Sequence, residues 1–243
     1  MDLGFLFRPF EQLDAWIASL LAGAPFVGAL LFAAVLGLRH ATDPDHLVAV
    51  TSLVASDGRG VRAGARIGAW WGMGHAGVLL ALGLPLVALQ AALPAWVEAG
   101  AEHLVGAVIA LLALRLLWRW LRRDYRAVVH AHPPATRHRH VHAGEHAHAG
   151  RTGRQALAIG ALHGVAGTGA IVVVLIAALP SPGEALAAMA VFAPMSVVSM
   201  TACTAGFCSV LTRRAVAPAV NWALIPALGV FGVVFGMWYA GIG

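Results

Sequence analysis

Lysine is missing altogether: each of the 16 basic side chains is arginine. That excludes a phosphate-binding loop of the Gly-x4-Gly-Lys-Ser/Thr type, and with it ATP hydrolysis by that device. Charge of either sign is scarce. Only 11% of the 243 residues are charged, whereas 60% are hydrophobic and the mean hydropathy is +0.79. Soluble domains carry roughly twice that charged share, about 25%, so the composition is that of an integral membrane protein. Cysteine is nearly absent too. Cys203 and Cys208 stand five apart in an apolar run, off a common helical face, which excludes a Cys-x-x-Cys metal site and argues for small packing residues. No basic leader precedes the first apolar segment, so a cleavable signal peptide is not expected. The net charge of +5 reads as membrane orientation rather than nucleic-acid binding.

The apolar runs suggest an all-α polytopic protein with about six crossings, each needing roughly 20 residues. They form one transmembrane domain over residues 1–243. Residues 1–22 mix Phe5, Phe10, Leu13 and Trp16 with Arg8, Glu11 and Asp14, an amphipathic segment suited to the interface. Helix one is expected over residues 26–55, too long for one straight crossing. Pro44 should free the carbonyl of His40 and kink or open the helix there. Later helices are expected near residues 67–89, 104–121, 156–179, 185–211 and 222–239, with Glu98, Glu102 and His103 in a solvated loop. Residues 122–154 form a polar loop holding His130, His132, His138, His140, His142, His146 and His148. Histidine alternating with Ala, Arg, Pro and Gly builds no core, so a flexible loop that buffers or senses metal is expected. Arginines cluster in alternate loops: Arg59, Arg62 and Arg66, then the 122–154 loop, then Arg213 and Arg214. The positive-inside rule puts these loops in the cytoplasm and both termini outside. Gly37-x-x-His40 is echoed by Gly160-x-x-His163 at an offset of 123 residues (160 − 37), so the chain reads as two three-helix halves, which would be inverted relative to each other.

The chemistry concentrates in Arg39-His40-Ala41-Thr42-Asp43-Pro44-Asp45-His46, between two apolar runs. Ionisable groups at membrane depth are costly and usually functional. A divalent cation explains their company, because it compensates carboxylates and binds imidazole nitrogen. His40, Asp43 and His46 follow one another at i, i+3 and share a helical face; Asp45 joins them only if Pro44 opens the helix. A nitrogen and oxygen set without thiolate suits nickel, cobalt, manganese or zinc better than copper(I). The alternative is an ion-pair cluster in which Arg39 and the histidines neutralise two aspartates near the surface. His75 and His163 stand in apolar helices beside glycines that permit close helix approach. The candidate metal residues are therefore His40, Asp43, Asp45, His46, His75 and His163. Met195, Ser196, Ser199, Met200, Thr201 and Thr204 read as packing.

The stretch from Arg39 to Leu47 closely resembles the signature of the nickel/cobalt transporter family, a His-x4-Asp-His core preceded by arginine. Pro44 replaces the alanine of many members, and Leu47 the isoleucine. Gly74-His75-Ala76-Gly77-Val78 is similar to the family's Gly-His motif, without the Ser/Thr usual after the histidine. The Asp-Thr motif of the eight-helix importers is missing. In its place, Gly160-Ala-Leu-His-Gly-Val-Ala-Gly-Thr-Gly169 resembles the short six-helix branch of urease-accessory membrane proteins and nickel/cobalt efflux proteins. The resemblance implies a metal-recognition role for His40, Asp43, Asp45 and His46. It implies a multi-pass transporter, not an enzyme, in the plasma (inner) membrane of a prokaryote. Its cargo would be Ni²⁺ or Co²⁺, with no prosthetic group and no nucleic acid; metalloenzyme maturation proteins are candidate partners. Two rivals stay open: a membrane metalloenzyme with zinc on His40, His46 and His163, although no His-Glu-x-x-His motif is present, and an accessory subunit delivering metal to a partner. Direction, coupling ion and the choice of nickel or cobalt are left open.

Overall fold

Backbone N–H and C=O groups find no water in hydrocarbon, so apolar runs of this length must satisfy them internally as helices. The computed structural model describes residues 4–6, 8–21, 26–55, 60–122, 152–179, 181–211 and 219–242, and among them there is helix but no strand. After a 3₁₀ turn at Gly4–Leu6 come α1 (Arg8–Leu21), α2 (Phe26–His40), α3 (Pro44–Ala55), α4 (Val61–Ala88) and α5 (Ala95–Leu121). They are followed by α6 (Gly153–Ala178), α7 (Pro182–Leu211), a π-helical turn at Val220–Leu224 and α8 (Ile225–Tyr239). Among the described residues five helices are long and apolar enough to cross a membrane, or six when α2 and the start of α3, bent by 43°, count as one broken span. The protein is an integral, multi-pass, all-α membrane protein. At 14 residues, α1 is only about 21 Å long, too short to cross.

The break in the first span differs from the expected kink. Pro44 opens α3 at its first position, where a missing N–H costs nothing and the fixed φ suits a helix start. The irregular residues are Ala41–Asp43 instead. The carbonyl of His40 is not freed; it accepts from Asp43 N at 3.2 Å, and the carbonyl of Asp43 accepts from Leu47 N at 2.9 Å. Ala41 N–H, orphaned by the break, donates to Ser199 Oγ of α7 at 3.2 Å. The expected loop around Glu98, Glu102 and His103 is helical, because α5 starts directly after Pro94, whose carbonyl accepts from Val97 and Glu98. An acid in a first turn also suits the helix dipole. Likewise α4 starts at Val61, so Arg62 and Arg66 lie on its first turns. Arg59, Arg213, Arg214 and the histidines of residues 130–148 lie outside the described residues.

The packing repeats itself. α2 packs on α7 and α6 packs on α4; α4 also packs on α7, and α5 on α8. Exchanging the first span with α6, α4 with α7, and α5 with α8 leaves this pattern unchanged. Glycines carry the equivalence. Gly37 presses on the carbonyl of Phe192, and Gly160 on the carbonyl of Trp71; Gly106 and Gly236 press on each other's carbonyls. Lacking Cβ, they let backbones approach as small residues do in membrane helix pairs.

Two apolar cores result, one including Ala41, Trp71, Ala166 and Met200, the other including Leu36, Ala76, Ile171 and Ala193. Their boundary crosses the helices at His40, His75, Thr168 and Ser196–Ser199. This is a polar layer at mid-helix: His75 sits about 21 Å into the roughly 42 Å of α4.

A Cβ on Gly160 would collide with the Trp71 carbonyl, whereas one on Gly77 meets nothing within 4 Å. Gly160→Ala should therefore lower the thermal midpoint of the detergent-solubilised protein, at a cost of about 1–3 kcal/mol. Gly77→Ala should leave it level or slightly raised. Equal midpoints for the two variants would contradict the packing described.

Candidate metal centre

Four imidazoles and two carboxylates meet in the polar layer. α2 delivers His40 at its last residue, α3 delivers Asp45 and His46 in its first turn, and α4 and α6 deliver His75 and His163 from their interiors. All four histidines and Asp45 are buried, His75 completely. The ring centroids of His40 and His46 lie 4.4 Å apart, those of His46 and His163 4.5 Å, and those of His40 and His75 5.0 Å. Trp71 and Phe192 wall the group: Trp71 stands 5.6 Å from the His46 ring, and Phe192 stands 5.2 Å from His40.

The carboxylates decide which nitrogens are free. A carboxylate only accepts, so an imidazole nitrogen bonded to it carries the proton. His46 Nδ1 donates to Asp45 Oδ1 at 3.0 Å, and His163 Nε2 donates to Asp45 Oδ2 at 2.9 Å. His40 Nδ1 lies 3.1 Å from Asp43 Oδ2, while Arg39 Nη1 donates to Asp43 Oδ1 at 2.8 Å. His40 Nε2 and His46 Nε2 are thereby turned to the cluster as lone pairs. His40 Nε2 stands 3.0 Å from His75 Nε2. His46 Nε2 is buried with no partner, as is His75 Nδ1. An unpaired polar atom in an apolar interior is costly unless something else binds it. Donors of His40, His46 and His75 lie within 4.8 Å of one another, and so do those of Asp45, His46 and His163. A narrow apolar crevice walled by Ala49, Val105, Ile109, Ile159 and Leu162 reaches His163 between α3, α5 and α6.

Two curated proteins are similar to the chain. Urease accessory protein UreH of Bacillus sp. (strain TB-90) is 26% identical over 205 residues, 84% of this chain and 87% of that protein. A high-affinity nickel transport protein of Cupriavidus necator is 32% identical over 108 residues, 43% of this chain but only 30% of that protein. The chain is similar to both. No family model and no solved structure matches it.

Five of the six residues selected from the sequence fall in the two donor sets: His40, Asp45, His46, His75 and His163. Asp43 stands apart, held between Arg39 and His40 Nδ1. Sequence reading missed Trp71 as a wall of the cluster and Ser199 as the group that satisfies the break. The Gly-x-x-His echo pointed towards Trp71, since Gly160 packs on its backbone; nothing in the sequence singled out Ser199 among the hydroxyls of α7.

Asp43 contacts a donor imidazole but belongs to neither donor set, so Asp43→Asn should weaken Ni²⁺ binding about 10–100-fold without abolishing it. His46→Ala, which removes the donor common to both sets, should abolish it. Calorimetric titration of the purified protein with Ni²⁺ measures both; loss of all binding in Asp43→Asn would make that carboxylate a direct ligand instead.

Proposed function

We propose that the chain carries Ni²⁺ or Co²⁺ across the membrane as its cargo, through the buried cluster of His40, Asp45, His46, His75 and His163. The observation that carries this reading is the buried, unpartnered Nε2 of His46 among three further imidazoles. An ion bonded to nitrogen at about 2.0–2.1 Å holds neighbouring donors roughly 3.0–3.4 Å apart. The His40–His75 separation of 3.0 Å matches that demand. Asp43 and Asp45 orient the donors, raise their basicity and offset the ion's charge, which hydrocarbon alone would oppose.

The ion exchanges water for imidazole and carboxylate on entry and recovers water on leaving. Apolar cores lie on both sides of the layer, so access must alternate. Rocking of the two halves, inverted relative to one another, about the Ala41–Asp43 break provides it. The arginine-bearing helix ends, among them Arg62, Arg119 and Arg122, face the cytoplasm, both termini face outward, and α1 lies in the interface of a prokaryotic plasma membrane. The histidines of residues 122–154 gather the ion at the cytoplasmic face. The relative named as a urease accessory protein favours a second role on the same site: supplying metal to the maturation of a metalloenzyme. Both relatives are named for transport or accessory roles, which favours transport over a hydrolytic zinc site.

Cell-associated nickel and cobalt, measured by elemental mass spectrometry, should change on expression of the chain, upward for import and downward for efflux. The change should vanish in His46→Ala present in the membrane at equal amount. An unchanged metal content with the wild-type chain contradicts transport, and a change retained in the variant contradicts the site.

A further inference from the structure

We propose that the cluster holds the ion at two adjoining positions that share His46, one built wholly on the first half of the chain and the other completed by His163 of the second half, and that the ion passes from one to the other during transport. The inference rests on the transport reading above and specifies how the same site works.

Among the described residues the donors gather into two sets of three, and only His46 belongs to both. Within the 4.8 Å spacing of each set, His40 and His75 do not join Asp45 and His163, so the sets are distinct. The sets differ in chemistry. His40, His46 and His75 offer three imidazoles, with Asp43 behind His40 and Asp45 behind His46. Asp45, His46 and His163 offer a carboxylate and two imidazoles.

The repeat supports the division independently of any metal geometry. His40 follows Gly37, which packs on the backbone of Phe192; His163 follows Gly160, which packs on the backbone of Trp71. The rings repeat the relation, His40 edge-on to Phe192 at 5.2 Å and His163 edge-on to Trp71 at 5.9 Å. Each half thus contributes one Gly-x-x-His placed against an aromatic residue of the other half. The His163 position adjoins the crevice between α3, α5 and α6. The His40 position is closed in on the α7 side, where Phe192 and Ser199 stand.

In the transfer the ion keeps His46 and exchanges His40 and His75 for Asp45 and His163. Two metal–ligand bonds break and two form. Asp45 turns from orienting His46 to holding the ion, and His163 exchanges tautomers so that Nε2 is free for it. Sharing one ligand keeps the ion from being stripped bare between positions. A low step between neighbouring sites also meets the transporter's need for binding weak enough to release.

The test is Co²⁺ binding to the purified full-length chain, followed by visible absorption and X-ray absorption at the cobalt edge. His163→Gln should still bind one Co²⁺ per chain, more weakly by at least about tenfold, in a shell of three imidazoles. His40→Gln should also bind one, in a shell containing carboxylate; His75→Gln, on a different helix, repeats that arm should His40→Gln fail to fold. His46→Gln should bind none. The same residual shell in the His163 and His40 variants, or complete loss of binding in either while it melts like wild type, would overturn the two-position arrangement and leave a single composite site. A wild-type chain that binds no Co²⁺ would overturn the transport reading itself.

Discussion

The carboxylate of Asp45 accepts from His46 at 3.0 Å and from His163 at 2.9 Å, and the orientation of both imidazoles follows from it. It ties α3 to α6 in the middle of the bundle and fixes the proton on His46 Nδ1. That leaves the opposite nitrogen unpaired and aimed at the cluster. A buried carboxylate without such donors would carry a large desolvation cost. The two imidazoles remove that cost, and in exchange the carboxylate dictates which lone pairs an ion can use. Asp43 does the same for His40 from the other side of the break, with Arg39 balancing its charge.

The break exists so that these groups can converge. On a straight helix Asp45 would point away from the face shared by His40, Asp43 and His46. Ending α2 at His40 and restarting at Pro44 turns Asp45 and His46 inward together. The backbone opened in this way needs partners, and Ser199 and the local carbonyls provide them. Around the polar layer the glycines draw α4 against α6, and the first span against α7, closely enough that four imidazoles from four helices touch. Apolar cores flank that layer on either side.

Much of this was legible in the sequence, for chemical reasons. Histidine and aspartate packed into eight residues between apolar runs have few explanations, and the isolated Gly-His pairs at His75 and His163 stood out for the same reason. Helix content and the number of crossings followed from hydropathy. What escaped depends on three-dimensional direction. Spacing put Asp43 on one face with His40 and His46 but did not show that its carboxylate would meet Arg39 and His40 Nδ1. Pro44 signalled an irregularity but not that it would fall before the proline, because a proline is equally at home opening a helix. Glu98 and Glu102 looked like a loop by charge, yet the helix begins ahead of them. Ser199 is one hydroxyl among several on α7, and only the position of the break distinguishes it.

Under the transport proposal, the buried cluster conducts the ion from one side of the membrane to the other. The most direct test is nickel entry into sealed proteoliposomes containing the purified chain, read by a metal-sensitive dye trapped inside. Entry should be saturable and lost in Asp45→Asn, a variant that keeps the size of the side chain but removes the charge that orients His46 and His163. Entry at the wild-type rate with Asp45→Asn, or no entry through a wild-type chain that binds nickel, would contradict the proposal.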